Sequence, residues 1–114
     1  MHKQLASVLL LSALLFSLPA AAFTPVQHET ISRLGELNGV ALHCGYLSDM
    51  RRLKEALANY VPKVRQLGEY FEDETRKSFQ RMVGKNLPCP APEPFQTEVN
   101  GAITALIKAY ATRP

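Results

Sequence analysis

From Val26 to Tyr110 the apolar residues of this chain return every three or four positions, and they nowhere alternate with polar residues as a half-buried strand requires. That period restricts the fold to helices whose apolar faces meet in one core. The sequence therefore predicts an all-α protein, a small four-helix bundle with helices over about 25–44, 49–60, 62–83 and 95–111.

The breaks between helices come from proline, glycine and capping residues. Thr24-Pro25-Val26-Gln27 reads as a helix start: Thr24 is the N-cap, Pro25 sits where a missing N–H costs nothing, and Gln27 can complete a capping box. Val26, Ile31, Leu34, Leu37, Ala41 and Cys44 form the first apolar face, and Gly45 suits its C-terminal cap. Gly35 and Gly39 lie inside this helix at up to about 1 kcal/mol each relative to alanine, a cost that implies close approach of another backbone. Their spacing is that of packed membrane helices, but Arg33, Glu36 and Asn38 exclude a spanning segment.

Ser48 and Asp49 mark the next start, followed by a seam of Met50, Leu53, Leu57, Tyr60 or Val61, Val64, Leu67, Phe71, Thr75, Ser78 or Phe79, and Met82. Periodicity alone would draw one long helix here. Pro62 argues for a break around residues 59–61, with a kinked continuous helix as the rival. Glu72 with Arg76 and Asp73 with Lys77 stand four apart on a solvated face. Gly84 is expected to stop the third helix, and Pro88, Pro90, Pro92 and Pro94 to make residues 85–94 an extended tether around Cys89. The fourth helix then presents Phe95, Val99, Ala102, Ile103, Leu106 and Tyr110 on one face, with Gly101 as another small contact position.

Location decides how the two cysteines are read. Residues 1–22, MHKQLASVLLLSALLFSLPAAA, combine Lys3, an apolar run from Leu5 to Leu18 and the small residues Ala20-Ala21-Ala22. This is the pattern of an export signal cleaved after Ala22, leaving one domain over residues 23–114; the alternative is a retained membrane anchor. In an oxidising compartment, periplasmic or extracellular, Cys44 and Cys89 are expected to form a disulfide. Closing a loop of that length contributes roughly 4 kcal/mol in the chain-entropy account, a large share for a domain of this size.

Charge narrows the partner classes. The chain carries 13 basic and 10 acidic residues, and loss of Lys3 with the signal leaves a nearly balanced remainder. Arg51, Arg52, Lys54, Lys63 and Arg65 make the second helix and its exit basic over a short span, and are the candidate surface-binding residues. Nucleic acid is not the expected partner, since Glu55 interrupts the cluster and export takes the chain away from nucleic acid. An anionic lipid headgroup or envelope polymer suits it better.

Catalytic patterns are weak. His28 and Ser32 are four apart on one helical face, but no nucleophile-elbow motif accompanies them. His43 beside Cys44 does not make a metal site, because neighbours on a helix point apart. Glu69, Glu72, Asp73 and Glu74 lie beside arginines on what reads as an open helix surface rather than in a cleft. Neither a cofactor nor a catalytic role is expected. The sequence points instead to an exported, disulfide-stapled helical protein that binds another envelope or secreted protein, such as an envelope factor, an inhibitor or a chaperone-like stress protein. Binding to an anionic surface is the alternative, and a small hydrolase a distant third.

Overall fold

The computed structural model describes residues 23–111, so the expected signal and its cleavage site lie outside the described residues. Among the described residues four helices follow one another: α1 (Pro25–Cys44), α2 (Leu47–Tyr60), α3 (Arg65–Gly84) and α4 (Pro92–Ala111). The all-α, four-helix architecture with one disulfide is thus as the periodicity predicts.

The start of α1 is built as its sequence implies. Thr24 Oγ1 accepts from Gln27 N at 3.1 Å, and Gln27 Oε1 accepts from Thr24 N at 2.9 Å, completing the capping box. At the other end Gly45 adopts φ 74°, the left-handed conformation that glycine reaches without a Cβ penalty.

The later boundaries differ from expectation, each for a tertiary reason. α2 begins at Leu47, two residues before Asp49, and its N-cap Tyr46 offers no side-chain cap. Tyr46 is committed elsewhere: its hydroxyl donates to Pro90 O at 2.6 Å and its ring stands 5.4 Å from that of Phe95. Asp49 is drawn inside instead, 4% exposed, with Arg52 Nη1 at 3.6 Å from Oδ1. The break at Pro62 is real and wider than expected, since α3 starts at Arg65 rather than at 62. Val61 is extended (φ −99°, ψ 136°) as the residue before proline prefers, and buries its side chain; Val64 is extended as well.

α3 ends at Gly84, one residue beyond the expected end at 83, but Gly84 is not the left-handed residue of its cap. The left-handed residue is Asn86 (φ 49°), with Leu87 N donating to Met82 O and Asn86 N to Val83 O, the hydrogen-bond pair of a Schellman end. α4 begins at Pro92 rather than near 95, because Pro92 and Pro94 fall in a first turn whose N–H groups would have no helical partner anyway. The extended tether is therefore shorter, residues 87–91.

α1 is the hub, packing against each of the other three helices. α2 and α4 contact α1 and each other, whereas α3 approaches α1 alone at backbone distance. The α1–α3 crossing is where the two glycines act. A Cβ on Gly35 would meet Phe71 O at 2.9 Å and Glu74 Cβ at 2.6 Å; one on Gly39 would lie 2.5 Å from both Thr75 O and Ser78 Cβ. Side-chain hydrogen bonds fill the same interface: Ser78 Oγ donates to Glu36 O at 2.6 Å, Asn38 Nδ2 to Thr75 Oγ1 at 3.2 Å, and Thr75 Oγ1 to Phe71 O at 2.9 Å. Contacts advance in the same direction along both helices, so α1 and α3 run parallel.

Ile31, Leu34, Leu37 and Ala41 of α1 join Leu53 and Ala56, Val61, Leu67 and Phe71, and Phe95, Val99, Ala102 and Leu106 in one buried cluster. Three positions expected inside are not. Val26 is 61% exposed and Val64 38%, and Gly101 has open space around it rather than a helix neighbour. The ion pairs on α3 also shift by one step: Arg76 pairs with Asp73 at 2.6 Å and Lys77 with Glu74 at 3.8 Å, three residues apart in each case.

Candidate functional site

Because α3 and α4 flank α1 without closing on each other, the face of α1 between them is left as the floor of a valley. Val26, Glu29, Arg33, Glu36 and Val40 run along it at alternating steps of three and four, one edge of the helix. Two adjoining grooves lie on this edge and share Arg33 and Glu36. The first, about 470 Å³, is walled by Ala102 and Ala105 of α4 and includes Thr30 and Ser32. The second, about 290 Å³, is walled by Met82, by Leu87, Pro88 and Pro90 of the tether, and by Phe95.

An ionic group separates them. Arg33 Nη1 stands 3.1 Å from Glu36 Oε1, and Nη2 stands 2.8 Å from Glu98 Oε2 across to α4, with all three side chains about half exposed. The tether that walls the second groove is held at two successive residues: Cys89 by its disulfide to Cys44, with Cα atoms 5.8 Å apart, and Pro90 by the Tyr46 hydroxyl. One anchor is the last residue of α1 and the other lies in the turn that follows it.

The five candidate cations do not behave as a unit. Arg51 and Lys54 are exposed on α2, three residues apart and so on neighbouring positions of its surface. Arg52 turns toward Asp49 and hydrogen-bonds Asn100 of α4, which uses it to join α2 to α4. Lys63 is exposed in the connector. Arg65 opens α3 with its side chain 89% exposed and Glu69 at 4.0 Å.

The residues weighed for catalysis are placed as follows. His28 Nδ1 donates to Thr24 O at 3.2 Å, and the ring lies between Phe23 and Tyr70, so its hydrogen bond does not go to Ser32. His43 is exposed and meets the Phe79 ring edge-on at 5.9 Å. Among the described residues no three His, Cys, Asp or Glu side chains gather as a metal site, and no helix is long and apolar enough to cross a membrane.

The valley was hidden in the sequence by its mixed character. Its stripe has the same period as the core stripe, but apolar and charged residues interleave, so Val26 reads as core and Glu29, Arg33 and Glu36 as ordinary surface. The absence of α3–α4 contact, which exposes it, is a property of how the helices are arranged. Compared with known proteins, the chain matches no family model, no curated protein and no solved structure.

Proposed function

We infer that this is an exported, non-catalytic helical module that binds another envelope or secreted protein. The observation that carries the reading is the valley over α1 and α4, where apolar walls and half-exposed charges share one groove. Interfaces between proteins combine an apolar centre with a polar rim in this way. The leader pattern of residues 1–22 and the Cys44–Cys89 bridge support export, since such bridges persist in oxidising compartments. No cofactor is part of the reading, and nucleic acid is not its partner.

The test is site-specific photo-crosslinking in the native envelope or secreted fraction. Probes at Val26 and Ala105 should yield a discrete protein adduct, while probes at Arg51 and Lys54 should not. Adducts from the α2 positions alone would move the interface away from the valley and contradict the reading.

One observation favours a second reading, contact with an anionic surface. Tyr60 (47% exposed) and Val64 (38%) flank the connector that carries Lys63 and, just beyond, Arg65. Apolar tips beside cations suit a headgroup layer. Sedimentation with vesicles containing anionic lipid should then retain the protein at low salt and release it at high salt; failure to sediment at any salt would remove this reading.

A further inference from the structure

We propose that the valley takes a cationic amphipathic segment of a partner protein, whose apolar face fills the two grooves while its Lys or Arg side chains meet Glu29, Glu36 and Glu98. The proposal rests on the protein-binding reading above and names the chemistry of the partner.

Shape comes first. Val26 to Val40 spans about 21 Å of α1 at the helical rise, the length of roughly four turns of a docked helix. The edge of α4 opposite it carries Glu98, Ala102 and Ala105, and the two alanines leave room for a partner to come close. Binding of an amphipathic helix in a groove uses anchors at steps of three and four, which both walls supply.

Charge fixes the partner's sign. Four charged side chains line the grooves, three glutamates and Arg33. Arg33 is already held by two of those carboxylates, so it offers little repulsion to an incoming cation. A carboxylate has about four acceptor positions, and Glu36 and Glu98 are half exposed with most of theirs open. Glu29 is exposed and has no ion pair among the described residues. This acid concentrates in a chain whose net charge is +3, so it does not follow from overall composition.

Two other occupants fit less well. An anionic membrane would be repelled by the glutamates. A second folded copy has its exposed cations Arg51 and Lys54 on α2, but the apolar face of that helix is spent on its own core, with Leu53 and Ala56 0% and 4% exposed. Its exposed apolar side chains near cations, Leu47 beside Arg51 and Tyr60 and Val64 beside Lys63, are separate tips rather than one helical stripe.

Fluorescence anisotropy with two labelled probes tests this on the purified oxidised protein. One is a synthetic amphipathic helix of Leu, Ala and Lys; the other has Glu in place of every Lys. The Lys probe should bind about tenfold more tightly, with the difference shrinking as salt rises. Glu29→Gln combined with Glu98→Gln should weaken it severalfold, and Ala105→Arg should abolish binding, each variant melting like the parent by circular dichroism. Equal binding of the two probes, or unchanged affinity in the Gln variant, overturns the proposal. If the valley crosslinks a native protein yet prefers the Glu probe, protein binding stands and the cationic assignment falls. If neither crosslink nor probe binding occurs, both fall. A dimer seen by sedimentation and lost in Ala105→Arg would make the second copy the occupant and also overturn the proposal.

Discussion

Gly39 and Gly101 are the same residue in the interior of a helix, and the structure gives them opposite roles. At Gly39 an added methyl would sit 2.5 Å from Thr75 O, a backbone atom that cannot step aside, whereas at Gly101 it would meet nothing. Gly39→Ala should therefore cost about 1–3 kcal/mol by overpacking, despite alanine's better helix propensity. Gly101→Ala should add about 0.5–1 kcal/mol, since only the propensity changes. Chemical denaturation of the two variants checks both signs. The sequence made the first glycine legible through its pairing with Gly35, but no local signal separates Gly101 from it; only the neighbouring helix does. Tyr110 illustrates the same limit. Its place on the apolar face of α4 was readable, but its partners Phe23 and Gln27 come from the far end of the chain. Burial raises the phenol above its ordinary value of 10.0. The folded protein thus holds the Tyr110 proton where the unfolded chain releases it. The stabilisation is fully present below pH 10 and is lost as pH rises through the folded value. Alkaline unfolding curves of wild type and Tyr110→Phe should diverge above pH 10, with the variant falling less steeply; parallel curves would contradict the assignment.

At the level of helices, boundaries signalled by side chains were legible and those set by tertiary anchoring were not. The Thr24 capping box and the Gly45 stop stand where the residues place them, because each closes its hydrogen bonds within a single turn of chain. α2 starts early because Tyr46 is held by Pro90, and α3 starts late because Val61 is pulled into the core. Neither anchor can be read from local sequence. The cap of α3 differs for another reason: Gly84 and Asn86 both suit a left-handed position, and the hydrogen bonds from Asn86 and Leu87 choose the second. Asn86→Ala should accordingly destabilise by about 1–2 kcal/mol, while Asn86→Gly should be close to neutral, as thermal melts can show. The reverse order would return the stop to Gly84.

On the scale of the whole molecule, α1 is the common support, and the disulfide holds the tether across one end of it. Reduction should release residues 87–91 from the end of α1 and remove roughly 4 kcal/mol of loop-closure stabilisation. The denaturation midpoint with and without reductant measures this, and an unchanged midpoint would deny the bridge a structural role. The number of helices and the bridge were legible because periodicity and a cysteine pair are properties of the sequence itself. The valley was not, since it exists only because α3 packs on α1 and leaves α4 untouched. That valley as the binding surface is the central claim, and it can be read directly by nuclear magnetic resonance. Titrating the isotope-labelled, oxidised protein with the Lys amphipathic peptide should shift the amides of Glu29, Arg33, Glu36, Val40, Glu98 and Ala105. Shifts confined to Arg51, Lys54, Lys63 and Arg65, or no shifts at all, would contradict it.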